Sequence, residues 1–339
     1  MSLDIEQPEA LSAYLRQTGR ISDSEQLAIH TLSGGVSNKT VLVETSSGNA
    51  WVLKQALSKL RVKVDWFSDP ARIEREAEGI RWLERLAPQG TITPLVFEDR
   101  QHHLLAMQAV RKPHDNWKTL LLNGQLDSPY VTQFGELLGT IHRRGWENRS
   151  ELSAVFTDRS FFESLRLEPY YQYSGNQVPQ AAEFMKELIA DTRGRSLTLV
   201  HGDYSPKNVL IHQQHLILLD HEVIHFGDPA FDLGFSLAHL LSKAHHMKPL
   251  RRQFADATLI YWEAYRTALG LVPWASDLEA FAVRHTLACL LARVSGRSTL
   301  EYFDESERER QRRAVAKLLP NAPRSLAGLT EDFISTLTM

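Results

Sequence analysis

The sequence predicts an α+β chain in two lobes: a small antiparallel-sheet N-lobe with one main helix, residues 1–110, then a larger, mainly helical C-lobe, residues 111–339. Three observations predict it. Strand-like alternation runs from Ile29 to about Val110, helical apolar spacing dominates from about Asn116, and one short β island interrupts the helical half at LTLVHGDYSPKNVLIHQQHLILLDHEV.

In the first lobe, KTVLVE and AWVLKQAL alternate about the turn-forming SSGN, which predicts an antiparallel hairpin. A helix is expected from about Asp69, a good N-cap, with Pro70 at the first helical position, and it should end near Pro88. LVFEDRQHHLLAMQAV then returns to strand character, whereas VTQFGELLGTIHRRGW in the second lobe is spaced as a helix. Neither an internal repeat nor a low-complexity linker separates the lobes, so a short strand or hinge should join them.

Composition narrows the classes. Of 339 residues, 43% are apolar and 23% charged, which suits a packed globular protein rather than a disordered or fibrous one. A net charge of −3 supplies no basic field for nucleic acid, and the dense run ERERQRR, Glu307 to Arg313, reads as a solvated helix face. Cys289 is the single cysteine, so no internal disulfide forms and a reducing cytoplasm is the expected location. No apolar stretch approaches the roughly 18 residues a membrane span needs, and MSLDIEQPEALSAYL lacks a signal core.

The β island carries the chemistry. VLIH and HLILL are short strands joined by Gln213 and Gln214, a connection that predicts a tight hairpin. Counting back from that turn puts Asn208 opposite about Leu219, so Asn208 and Asp220 should meet at the hairpin's open end, with Asp203 on the entering loop and Glu222 just beyond. Three acids and an amide without cysteine suit a hard cation, and magnesium uses such oxygen ligands together with substrate phosphates. Phosphoryl transfer follows, with Asp203 as the carboxylate that accepts the proton of an attacking hydroxyl. Asp, Ser, Pro and Asn also populate plain turns, and it is their joint arrangement that argues for chemistry.

HGDYSPKNVLI, then LLDHEV, then FGDPAFDLG, resembles the aminoglycoside phosphotransferase and choline kinase family, whose members share the protein-kinase-like fold. The resemblance implies ATP and magnesium as cofactors, Asp203 as catalytic base, Asn208 and Asp220 as magnesium ligands, His201 as a residue shaping the loop, and Asp232 as its brace. Asp228 reads instead as a helix cap, and His142 as packing. A small-molecule hydroxyl is the implied substrate.

The family also needs a strand lysine and a helix glutamate to hold the nucleotide phosphates. Lys54 in AWVLKQAL fits, with Val52 on the same strand face toward the adenine. Among the helix acids, Glu76 falls on the apolar stripe of Ile73, Ile80, Leu83 and Ala87, where an ion pair with Lys54 accounts for its charge. The turn LSGGVSNKT should approach the phosphates through Gly34, Gly35, Ser37 and Asn38, and the adenine hinge is placed at Gln108 to Val110. A Walker loop is rejected because Asn38 stands where that motif needs glycine and a strand follows.

VLKQALSKLRVKVDWFSDPARIEREAE and the pair Asp220 and Glu222 are similar to methylthioribose kinases, which suggests a sugar-like acceptor; an aminoglycoside or amino alcohol stays open. Tyr204, Arg284, His285 and Arg293 are the acceptor-site candidates, and the pair His245 and His246 reads as surface. The alternative to an active kinase is a nucleotide-binding pseudokinase with a regulatory or scaffolding role.

Overall fold

Apolar alternation in the first hundred residues does build a sheet. The computed structural model describes residues 3–32, 35–62 and 65–338 and divides into two compact units, Met1–Arg85 with Ile92–Lys112, and Leu86–Thr91 with Pro113–Met339. The first unit contains α1 (Pro8–Gln17), β1 (Leu27–Thr31), β2 (Asn38–Thr45), β3 (Ala50–Ala56), the main helix α2 (Arg72–Leu86), β4 (Leu95–Asp99) and β5 (Leu104–Gln108). Its five strands pair antiparallel in the order β1-β2-β3-β5-β4.

Helix α1 is a difference from the sequence reading, which assigned no helix before Ile29. Leu11, Tyr14 and Leu15 form its apolar stripe and pack on Val41, Val43, Leu53, Leu104 and Ala106 of the sheet. Because Leu53 points into this core, its neighbours Val52 and Lys54 project from the opposite face. Helix α2 begins at Arg72, a turn later than Asp69. Arg72 is fully buried and bonds four backbone carbonyls, those of Ser37, Leu57, Ser68 and Asp69, which ties the turn before β2 to the start of the helix.

The second unit opens with β6 (Asp115–Asn116) and continues through α3 (Trp117–Leu122), α4 (Ser128–Glu147), α5 (Arg149–Val155) and α6 (Ser160–Phe162). Helix α6 runs directly into a π-helical segment, Glu163–Gln172, followed by α7 (Tyr173–Gln177) and α8 (Ala182–Gly194). The β island supplies β7 (Thr198–Val200), β8 (Val209–His212), β9 (His215–Leu218) and β10 (His225–Gly227). The remainder is helical: α9 (Pro229–His246), α10 (Arg251–Leu269), α11 (Ala275–Ser295), α12 (Glu305–Leu318) and α13 (Leu326–Thr338).

The π-helical turn has a visible cause in Pro169, which has no N–H to give the carbonyl four residues back. That carbonyl, on Leu165, instead accepts from Arg166 Nη1 at 2.7 Å. Helix α9 is buried nearly end to end and meets α11 so closely that a Cβ at Gly234 would lie 2.3 Å from that of His285. Only glycine permits that crossing.

Two surface readings are corrected. His245 is buried, and His246 pairs with Glu307 at 2.9 Å. In α12 the run ERERQRR is not a wholly solvated face: Glu307 closes a capping box with Asp304, and buried Gln311 donates to the Leu290 carbonyl at 2.8 Å. Among the described residues no helix is long and apolar enough to cross a membrane.

Candidate active site

In the second unit, the antiparallel pair β7 and β10 sets His225 opposite Val200. This brings the residue after β7, His201, beside the start of α9. Asp228 caps that helix by accepting from the Ala230 amide at 3.1 Å, with Pro229 at its first position. One turn in, Asp232 accepts from the amides of His201 at 2.7 Å and Gly202 at 2.8 Å. His142 Nε2 lies 3.2 Å from Asp232 Oδ2, the oxygen that also accepts from His201, and the Tyr265 hydroxyl lies 2.9 Å from the other ring nitrogen. Burial pushes the Asp232 carboxyl up, but His142 and the His201 side outweigh it and hold the group below the ordinary carboxylate value. His142 therefore acts through a hydrogen bond as well as by packing.

Gly202 sits at φ +78, and a Cβ there would lie 2.9 Å from the Val223 carbonyl oxygen and side chain. The loop can turn at this point only with glycine. Asp203 follows, and its amide donates to His201 Nδ1 at 3.1 Å. Burial lowers the His201 pKa, so the ring is neutral, carries its proton on Nε2 and donates to His221 Nδ1 at 3.1 Å.

Asp203 itself is held from two sides. Asn208 Nδ2 donates to Asp203 Oδ2 at 2.7 Å and to the Asp203 carbonyl at 3.0 Å. Arg166 Nη2 lies 2.9 Å from Asp203 Oδ1, while Arg166 Nε donates to the Gly202 carbonyl at 2.7 Å. Sequence reasoning missed Arg166. Its only signal was one cation between two leucines in SLRLEPYY, and the π-helical turn that aims it has no sequence period.

The β8–β9 hairpin has the register the sequence predicts. Val209 faces Leu218, Leu219 N–H donates to the Asn208 carbonyl at 2.9 Å, and Gln213 and Gln214 both take positive φ at the two-residue turn. Asn208 and Asp220 thus flank the open end. Asp220 holds φ +69, a left-handed conformation that Asp tolerates better than most residues. Glu222 is buried two residues on.

In the first unit, Lys54 Nζ lies 2.6 Å from Glu76 Oε1, with Glu76 fully buried. Val52 shares the strand face of Lys54 and is half-buried. Ser37 and Asn38 are buried, and the Ser37 carbonyl is engaged by Arg72 and by the Leu57 amide. At Gly35 an added Cβ would meet nothing closer than 3.8 Å, so packing within the chain does not demand glycine there. Gly34 lies outside the described residues. Gln108 closes β5, where its amide donates to the Pro94 carbonyl at 2.9 Å, and Val110 lies beyond the strand.

Three acceptor-site candidates are structural. Tyr204 is buried, stacks on Phe134 with centroids 4.2 Å apart and donates to the Phe134 carbonyl. His285 is buried against Tyr171 and Asp228, and Arg284 pairs with Asp191 over the Phe281 and Phe184 rings. Arg293 is buried as well, donating to the Tyr170 hydroxyl and to Ser298.

A family profile described as the phosphotransferase enzyme family matches residues 28–271, and the chain belongs to that family. Methylthioribose kinases of Pectobacterium carotovorum and Yersinia pestis are 24% and 25% identical over 259 and 261 residues, covering 67% of this chain. The chain spans 63% and 62% of those relatives' own lengths. The fold is shared with the protein-kinase-like aminoglycoside 2'-phosphotransferase-IIIa, at a TM-score of 0.55, 15% identity and coverage of 93% and 99% of the two chains. A choline/ethanolamine kinase family protein from Mesorhizobium loti aligns at 0.54, 14% identity and 98% and 99% coverage.

Proposed function

We propose that this protein transfers the γ-phosphate of ATP to a hydroxyl of a small molecule, a sugar-like metabolite, aminoglycoside or amino alcohol, with Asp203 as the base. The observation that carries the reading is the grip on Asp203. Asn208 and Arg166 each bond one carboxylate oxygen, and a positioned carboxylate can accept a hydroxyl proton as the oxygen attacks phosphorus.

Asn208 spends its amide nitrogen on Asp203, while no protein hydrogen bond to its Oδ1 is found among the described residues. That oxygen and the carboxylates of Asp220 and Glu222 form an all-oxygen donor set, which fits magnesium. Magnesium held by these groups would offset the negative charge of the nucleotide phosphates. Lys54, oriented by Glu76, contributes a further cation to the phosphates, and Val52, Gly34, Gly35, Ser37, Asn38 and the Gln108 to Val110 segment are the remaining nucleotide contacts in this reading.

The test is Asp203→Asn, assayed for nucleotide affinity and turnover in magnesium. Binding should persist while turnover falls by roughly two to four decades. Turnover unchanged by the substitution would remove Asp203 from the role, and nucleotide binding without turnover of any alcohol by the native protein would leave a pseudokinase.

A further inference from the structure

Phe235, His239 and Lys243 recur at four-residue steps along one face of α9, about 12 Å from first to last at 1.5 Å per residue. The Phe235 and His239 rings are 5.2 Å apart. Arg166 lies over both Phe235 and Tyr170, 5.7 Å from each centroid, and Arg293 of α11 reaches Tyr170 from its own helix, donating to the hydroxyl at 3.0 Å. Lys243 Nζ stands 5.6 Å from the Tyr302 ring. Three helical segments thus bring Arg166, His239, Lys243 and Arg293 around one aromatic group, and the row begins at the residue that grips Asp203.

All four are buried, with exposures of 7%, 5%, 0% and 8% in that order. Among the described residues only Arg166 of the four has a carboxylate partner, Asp203. Lys243 Nζ donates to the His239 carbonyl at 3.3 Å. Arg293 bonds Tyr170 and Ser298, forms no ion pair among the described residues, and its buried Nε has no hydrogen bond. The nearby Glu301 is held by Lys118. Burial, then the neighbouring cations, push Lys243 down to about 7 and His239 well below its usual value.

Arg293 is then a buried cation without an ion pair among the described residues, and His239 and Lys243 give up protons readily beside it for want of counter-charge, an arrangement that destabilises the fold where well-packed apolar side chains are commonly neutral or better. A ligand anion supplies the missing charge. We infer that the acceptor is an anionic alcohol, whose carboxylate or phosphate is held by His239 and Arg293 with Lys243 behind them, while its hydroxyl lies toward Asp203. This inference rests on the phosphotransferase reading and narrows its acceptor: a polycationic aminoglycoside or choline-like alcohol would meet like charge at this row. The residual exposure of His239 and Arg293, against none for Lys243, sets which of the three touch the anion.

The test uses the full chain with magnesium and a non-hydrolysable ATP analogue. Calorimetric titrations of glycerate, glycerol 3-phosphate and glycerol are run at constant ionic strength, alongside ATP-consumption assays of the same alcohols, methylthioribose and choline. An anionic alcohol should bind and be consumed where glycerol does neither. Lys243→Met, which places an apolar side chain of similar length in a buried site, should weaken anion binding at least tenfold, as should Arg293→Gln, with analogue affinity kept within twofold. If Arg293→Gln does not fold, His239→Gln takes its place. Binding that ignores the charge of the alcohol, absence of binding by both anions, or anion affinity unchanged in Lys243→Met would each overturn the inference. Turnover of methylthioribose or choline alone would overturn it and leave the phosphotransferase reading standing, whereas failure to bind the ATP analogue would count against that reading itself.

Discussion

Arg166 Nη2 lies 2.9 Å from Asp203 Oδ1, and both side chains are withdrawn from solvent. A cation brought from a π-helical turn therefore fixes one oxygen of the loop carboxylate, leaving Asn208 to fix the other. Burial would lower the Arg166 pKa, but Asp203, with Tyr170, Glu222 and Asp220, raises it above the ordinary value. The side chain stays charged throughout the physiological range.

Arg166→Met should lower kcat about ten- to hundredfold, because a misplacement of about 1 Å in a reacting group is enough for a hundredfold loss. Thermal melts should show destabilisation as well, since breaking a buried ion pair costs about 3–5 kcal/mol. Arg166→Lys keeps the charge and should recover part of the melting temperature while recovering less of kcat, because it lacks the second nitrogen that bonds the Gly202 carbonyl. Equal recovery of both would mean that Arg166 serves stability alone.

Asp232→Asn replaces a double acceptor by a side chain with one acceptor and one donor. The Asn amide cannot satisfy both the His201 and Gly202 amides, which now donate to Oδ2 and Oδ1. One buried donor left without a partner costs about 1–3 kcal/mol. Urea unfolding should report that loss, and activity should fall with it because the same amides place Asp203.

Lys54→Met removes the 2.6 Å ion pair to fully buried Glu76, so it should cost both stability and nucleotide affinity. The double substitution Lys54→Met with Glu76→Leu removes both charges together. Melts of the double variant should return toward native values, while titrations with an ATP analogue should stay weak. Return of nucleotide affinity in the double variant would show that the pair is structural.

Lys243 gives a pH dependence of definite sign. Its ordinary pKa of 10.5 falls to about 7 in the folded chain, so between about pH 7 and 10.5 the unfolded state holds more protons. Folding stability therefore rises with pH across that window, and the gain is lost as pH falls through about 7. The groups facing Lys243 are Lys118 of α3, Arg293 of α11, Tyr302, and Glu301 of the segment before α12. In thermal melts, Lys243→Met should exceed the native protein most at pH 7 and below, with the gap closing toward pH 10. A gap independent of pH would show that Lys243 is protonated to the same extent in both states.

Local patterns carried much of this protein. Two-residue spacing revealed β2 and β3, because a strand with one buried face must alternate, and two short apolar runs about Gln213 and Gln214 revealed the β8–β9 hairpin. The Asp228–Pro229 cap could be read from adjacent residues alone, since a cap bonds within its own first turn. Glu76 was recoverable because a charge on an apolar helical stripe demands a partner, and Lys54 was the one offered. Helix α1 escaped notice because its stripe of Leu11, Tyr14 and Leu15 is short and covers a sheet that the chain had yet to form.

Other roles were settled by packing across long sequence separations. Tyr204 and His285 carry polar groups suited to an acceptor site, yet Phe134 and Tyr171 hold them in the core. Arg166 reaches Asp203 only because Pro169 disturbs its helix and β7 delivers the loop beside it. His239 and Lys243 look like ordinary polar positions of a surface helix until α9 is seen to be buried on every side.

By itself, then, the sequence determined the family, the fold class and the composition of the candidate site's loop, because those depend on short-range order in HGDYSPKN and its flanking strands. Tertiary structure alone decided which charges are withdrawn from water and which partners they meet. The grip of Arg166 on Asp203 and the buried row of His239, Lys243 and Arg293 belong to that second kind, since burial is a property of the packed chain and leaves no period in the sequence.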